Sequence, residues 1–174
     1  ITGIVTFSSS INTIGDYAFN NCANLNGIKF KNGCKTIGDY AFSNCSLLNQ
    51  SIELPESLKT IGDYAFSNDT KMNLLIGPNY GTFTNNLTYI GDYAFYNCNS
   101  ISAELDLSKA NVEYLGTYAF SKCSSIPILI LPYKLKQIKP HTFDQCTSLD
   151  GAINFPSSVT SIGEGAFRNC SSLT

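Results

Sequence analysis

The stretch Leu58-Lys59-Thr60-Ile61-Gly62-Asp63-Tyr64-Ala65-Phe66 decides the fold, because the chain repeats it. Ile-Gly-Asp-Tyr-Ala-Phe begins at Ile14, Ile37, Ile61 and Ile90, and looser copies begin at Leu115, Ile138 and Ile162. These anchors are separated by 23, 24, 29, 25, 23 and 24 residues. Self-similarity at a short fixed period marks units that bury their apolar faces only by stacking on one another.

Other positions keep phase with the anchor. Eight residues after it come Cys22, Cys45, Asp69, Cys98, Cys123, Cys146 and Cys170. Three further on come Leu25, Leu48, Met72, Ile101, Ile126, Leu149 and Leu173; three before it come Ile11, Cys34, Leu58, Leu87, Val112, Leu135 and Val159. Alternating pairs, Ile28/Phe30, Ile52/Leu54, Leu105/Leu107 and Ile153/Phe155, predict one half-buried strand per repeat. Pro55 and Pro156 directly follow two of these stretches and Pro132 the corresponding stretch that ends at Leu131, where a missing N–H ends pairing. A second short strand is predicted over the anchor, as in Lys59-Thr60-Ile61 and Val159-Thr160-Ser161-Ile162. Beyond it, Gly-Asp-Tyr-Ala-Phe reads as a tight turn, with glycine permitting the bend, running into a single helical turn. Asp16, Asp39, Asp63 and Asp92 are expected to cap that turn, and the Asn before the Cys position suits a left-handed exit.

The period lies in, or at the edge of, the roughly 20–29-residue leucine-rich range. The expected fold is therefore a repeat solenoid of the leucine-rich class. It is a β-rich, right-handed coil with short parallel strands and one helical or 3-10 turn per repeat. Residues 1–174 divide into seven tandem repeats, about 1–24, 25–47, 48–71, 72–100, 101–125, 126–148 and 149–172. The chain opens and closes in the same register with no capping repeat, so it is expected to be a window from a longer array.

Composition narrows the function. Hydrophobic residues make up 43% and charged residues only 14%, against about 25% charged in an average domain. A net charge of -2 supplies no basic field for nucleic acid or anionic lipid. No apolar run approaches the roughly 20 residues that span a bilayer.

Leu48…Ile52-Glu53-Leu54-Pro55…Leu58…Ile61-Gly62-Asp63-Tyr64-Ala65-Phe66 and the Asn-Cys-x-x-Leu segments resemble the BspA-type leucine-rich repeat family. The resemblance covers essentially the whole chain. It implies a surface or secreted protein of host-associated bacteria or mucosal protists, and protein–protein binding of the adhesin kind. The implied partners are proteins of host matrix, host cells or other microbes. No ligand carries over, because binding residues differ between members. The chain departs from the pattern at Asp69, in the lengthened span Asn73 to Phe83, and at Lys139-Pro140-His141-Thr142.

Candidate residues follow from the registers. Phe19, Phe42, Phe66, Phe95, Phe120, Phe143 and Phe167 are expected to form a buried aromatic spine. Cys22, Cys45, Cys98, Cys123, Cys146 and Cys170 are read as core thiols. Disulfides are the weaker alternative because stacked side chains point in parallel, and zinc lacks knuckles or histidine partners. His141, the one histidine, holds a position that is Tyr in five other repeats, so it is read as structural, and no nucleophile motif accompanies it. The Asp row lacks calcium-loop spacing. No catalytic residue, metal or cofactor is expected. For binding, the outward strand positions Lys29, Glu53, Asp106, Ile130 and Asn154 vary in chemistry and form the leading row. Tyr17, Tyr40, Tyr64, Tyr93 and Tyr118 form a second, read either as contacts or as a half-buried shelf. The alternative to recognition is a stalk or filament segment that assembles with other copies through open strand edges. Sequons fall at Asn44, Asn49, Asn68, Asn86 and Asn169, and only Asn86 lies clear of the tight turns.

Overall fold

The computed structural model describes residues 1–74 and 85–174. Most of the lengthened span, from residue 75 to Phe83, lies outside the described residues. The chain winds as a parallel β-solenoid with two columns of very short strands. The anchor column comprises β2 (Thr13–Ile14), β4 (Thr36–Ile37), β6 (Thr60–Ile61), β8 (Tyr89–Ile90) and β10 (Tyr114–Leu115), hydrogen-bonded in one five-stranded parallel sheet. β12 (Gln137–Ile138) and β13 (Ser161–Ile162) continue the column as a separate pair. The register places Ile37 on Ile14, Ile61 on Ile37 and Ile90 on Ile61. In the second column β1 (Gly3–Thr6) pairs with β3 (Leu25–Lys29), β5 (Ser51–Ile52) with β7 (Asn73–Leu74), and β9 (Leu105–Asp106) with β11 (Leu129–Ile130). No strand forms over Ile153 to Phe155, unlike the expectation. The last rung there joins the Asp150 N–H to the Pro127 carbonyl (3.0 Å), and Gly151 beyond it takes a left-handed φ of 74.

Between the columns lies one apolar interior. Successive Phe rings from Phe19 to Phe167 stack nearly parallel, with centroids 5.0 to 5.8 Å apart. Phe42, Phe66, Phe95, Phe120 and Phe143 are fully buried, and Phe7, Phe30 and Phe155 pack edge-on against the stack. Each such ring removes enough surface from water to contribute about 1.5–3 kcal/mol. Leu25, Leu48, Met72, Ile101, Ile126 and Leu149 close one flank, and Cys34, Leu58, Leu87, Val112 and Leu135 the other.

The segment expected as a helical turn is a run of β-turns instead. Its amides alternate: one closes a turn back along the chain, as Ser43 does on the Tyr40 carbonyl at 3.2 Å, and the next bonds across to the following coil. Tyr40, Phe42 and Asn44 donate to the Asp63, Ala65 and Ser67 carbonyls at 2.8 to 2.9 Å, and the same three rungs recur at all six junctions. A helix would consume those amides internally; the solenoid spends them on its neighbours. Two left-handed residues make this geometry. One is the Tyr or His position (φ 54 to 58), the other the Asn, Lys or Gln position four residues later (φ 57 to 64).

The aspartates also act between coils. Asp16, Asp39, Asp63 and Asp92 each accept, through Oδ1, the amide of Asp39, Asp63, Asp92 and Thr117 in the following coil, at 2.8 Å each. Close approach, not bending, explains the glycines. A Cβ on Gly62 would lie 2.4 Å from the Asp39 Oδ1 atom and 2.7 Å from the Gly38 carbonyl carbon.

Candidate recognition surface

The outward positions of the second column are accessible but do not form one continuous ladder. Lys29 is exposed in β3 beside Thr6, and Asp106 faces Ile130 directly across the β9–β11 pair. Glu53 is exposed one residue beyond β5, where Phe30, Asn32, Leu54, Pro55 and Glu56 join it around a shallow recess of about 230 Å³. Asn154 is exposed in the segment without a strand. Asp106 is half-buried, and its Oδ1 accepts the Ser108 amide at 2.8 Å.

Ile128 and Ile130 point outward on either side of buried Leu129, leaving 47% and 38% of their surface to water. Tyr133, three residues on, is 56% exposed and donates its hydroxyl to Asn111 Oδ1 at 2.7 Å. Sequence reading named Ile130 but missed Ile128 and Tyr133. The signal lay in Ile128-Leu129-Ile130-Leu131, which is apolar throughout and therefore has to turn every second residue outward.

Beside Tyr133 the anchor column breaks. Elsewhere the residue after the anchor donates to the previous anchor carbonyl, as Gly62 does to Ile37 and Gly116 does to Ile90. Among the described residues no acceptor is found for the amides of Lys139 and Lys136. Lys139 stands at the position where Gly38, Gly62, Gly91 and Gly116 have no room for a Cβ. Thr117 and Pro140 are matched to this break: Thr117 has no carboxylate to accept an amide, and Pro140 has no amide to donate. A recess of about 320 Å³ opens there, lined by Glu113, Tyr133, Lys134 and Lys136. The turn-side rungs persist, with Phe120 N–H on the Thr142 carbonyl at 2.9 Å.

Tyr17, Tyr40, Tyr64, Tyr93 and Tyr118 stack face to face at 4.6 to 4.9 Å, and His141 continues the row over Tyr118 at 4.6 Å. Stacking covers the ring faces and leaves mainly the edges to solvent. Burial, reinforced by the charge of neighbouring tyrosines and aspartates, pushes the Tyr40 and Tyr64 hydroxyls up from their ordinary value. The His141 Nδ1 lies 3.8 Å from Asp144 Oδ2, too far for a hydrogen bond. Asp144 instead takes two bonds from Arg168, at 3.1 and 2.6 Å. Burial raises the Asp144 carboxyl, but the Arg168 guanidinium outweighs it and holds the group below the ordinary carboxylate value.

The cysteines are free; Cys22 is half-buried and the other six are buried. Their register makes a second ladder. The Sγ atoms of Cys45, Cys98, Cys123, Cys146 and Cys170 donate to the carbonyls of Phe19, Phe66, Phe95, Phe120 and Phe143 in the preceding coil, at 3.0 to 3.3 Å. Burial pushes the Cys123 thiol up to about 12. Among the described residues no group of three His, Cys, Asp or Glu side chains is arranged to hold a metal ion, and no helix is long and apolar enough to cross a membrane. Of the sequon residues, Asn44 and Asn68 are tied with Asn97 into an amide ladder at 3.1 Å, whereas Asn86 is exposed and donates to the Glu56 carbonyl at 2.9 Å.

Comparison with known proteins agrees with this architecture. The family model of the BspA type Leucine rich repeat region matches residues 2–80 and 79–174, in six copies. A comparison with curated proteins finds no match. Among solved structures, a leucine-rich repeat protein of T. pallidum is similar at 27% identity with a TM-score of 0.83, over 98% of this chain and 78% of its own. A leucine-rich repeat protein from Eubacterium ventriosum is similar at 27% identity with a TM-score of 0.76, over 97% of this chain and 42% of its own.

Proposed function

The chain belongs to the BspA-type leucine-rich repeat family, and from that premise we propose that it is a non-catalytic recognition module of a cell-surface or secreted, adhesin-like protein. The observation that carries this reading is a division of labour among registers. Positions that repeat are consumed by the interior and by rungs between coils, while Lys29, Glu53, Asp106, Ile130 and Asn154 differ in chemistry and face outward. Ile128, Ile130 and Tyr133 supply the apolar and aromatic area that dominates interface energetics. A recess with two lysines lies beside Tyr133 at the break between β10 and β12. The partner is a protein on host matrix, a host cell or another microbe, contacted over several coils rather than in one deep pocket.

The test is binding to immobilised matrix proteins and to epithelial surfaces, with Ile128→Lys/Ile130→Lys as the probe. Loss of binding by tenfold or more, about 1.4 kcal/mol, with an unchanged melt, supports the reading. Full binding by that variant and by Tyr133→Ala would remove this surface from it.

A second reading has an observation of its own. The backbone rungs between coils, such as the Tyr40 N–H on the Asp63 carbonyl, are ones that any copy of the repeat can make, which favours a stalk or filament segment that pairs with other copies. Sedimentation across a concentration series separates the two: open-ended growth supports assembly, and a fixed size supports the recognition module.

A further inference from the structure

The thiol ladder has one gap, and what fills it is a carboxyl group. Eight residues after each of the other anchors from Ile37 onward, a cysteine Sγ donates to the Phe carbonyl of the coil before. At the third anchor the residue is Asp69, fully buried, in contact with the Cys45 and Cys98 coils. Its Oδ1 accepts the Cys45 amide at 2.6 Å. Its Oδ2 is buried and has no hydrogen-bond partner.

The preceding coil carries the matching irregularity. Each of the carbonyls of Phe19, Phe66, Phe95, Phe120 and Phe143 receives two donors, a thiol from the next coil and the amide of the residue three positions on. Among the described residues no donor reaches the Phe42 carbonyl: the Cys45 amide has turned to Asp69, and no thiol stands at position 69. A lone acceptor carbonyl and a lone carboxyl oxygen occupy positions that, in the other coils, hold a hydrogen-bonded pair. Two acceptors cannot satisfy each other, whereas one proton between them satisfies both.

We infer that Asp69 is the neutral carboxylic acid in the folded chain at neutral pH, donating from Oδ2 to the Phe42 carbonyl, and that this makes the third coil a proton-dependent lock in the solenoid. The surroundings agree. The titratable groups facing Asp69 are the Cys45 and Cys98 thiols, and both are themselves pushed up, first by burial. No cation acts on it among the described residues. Burial drives its carboxyl well above the ordinary value of 3.8, opposed only by the Cys45 amide. Ionisation in place would leave an unpaired charge among Phe rings and thiols, so the charged form favours opening of the coil.

The sign follows from linkage. The folded state holds this proton more tightly than the unfolded chain, so the contribution is complete below pH 3.8 and is lost as pH rises towards the folded-state value. The folding equilibrium constant declines over that window by up to about tenfold per pH unit. Asp63 is also raised, mainly by burial, and adds a smaller slope of the same sign, so the experiment uses Asp63→Asn as its background. Urea unfolding of Asp63→Asn and Asp63→Asn/Asp69→Asn is compared from mild acid to mild alkali. The carboxamide that Asp69→Asn introduces keeps the acceptor and supplies a permanent donor, so a slope in the single variant that is absent from the double one supports the lock. Parallel slopes overturn it. Should the double variant not fold, infrared spectroscopy of Asp63→Asn decides: a protonated-carboxyl band persisting at neutral pH supports the lock, and its absence overturns it.

Discussion

Asp39 illustrates how single side chains hold neighbouring coils in register. Its Oδ1 accepts the Asp63 amide at 2.8 Å, so its loss is felt one coil away. Asp39→Ala is expected to cost about 1–2 kcal/mol by leaving that amide unmet, while Asp39→Asn retains the acceptor and costs less; urea denaturation of both variants checks the order. The thiols provide a second test at this scale. Burial pushes the Cys45 thiol up to about 12, and only Cys22 is partly open. Alkylation of the native protein is therefore expected to label Cys22 first and the remaining six only on unfolding, with the sites read by mass spectrometry. Rapid native labelling of Cys98 or Cys123 would contradict the burial described. The asparagine turns were legible in the sequence because Asn tolerates left-handed backbone. The tyrosine turns were not, since Tyr has no such preference. Its left-handed geometry, costing about 1–2 kcal/mol, is offset by stacking on the next ring of similar size, about 0.5–1.5 kcal/mol.

At the scale of the element, strands of two residues have little stability alone, and each persists because it is one rung in a column. The anchor strands were legible from their in-phase Ile positions, and the structure places them at all seven anchors. The turn segment was not, because a local reading cannot see that the amides of Tyr40, Phe42 and Asn44 have acceptors 23 residues ahead. The glycine role was hidden for the same reason: Gly62 is needed by the neighbour, not by its own backbone. Gly62→Ala is accordingly expected to destabilise by about 1–3 kcal/mol through overpacking, more than its gain from a stiffer unfolded chain, as thermal melts can show. Phe95→Ala removes a fully buried ring stacked on two others, and its expected cost is about 3–5 kcal/mol. A melt barely altered by that change would undo the assignment of the spine.

The whole molecule behaves as a one-dimensional stack in which stability is shared between coils and their junctions. Two irregular coils stand out. One holds Asp69 in the thiol ladder, the other holds Lys139-Pro140 at the break in the anchor column. Both were visible in the sequence as departures from the repeat, but their consequences were not. Asp69 accepts the Cys45 amide, and Lys139-Pro140 stands where the anchor sheet is interrupted. The outward row was legible only as a set of positions, because its continuity depends on where the ladders break.

Residue-resolved hydrogen exchange tests most directly whether in-phase copies form one stack whose anchor column is interrupted between β10 and β12. The amides of Gly62, Gly91 and Gly116 are predicted to exchange slowly, and those of Lys136 and Lys139 at least about tenfold faster. Equal protection running through Lys136 and Lys139, or fast exchange at the three glycines, would contradict the account.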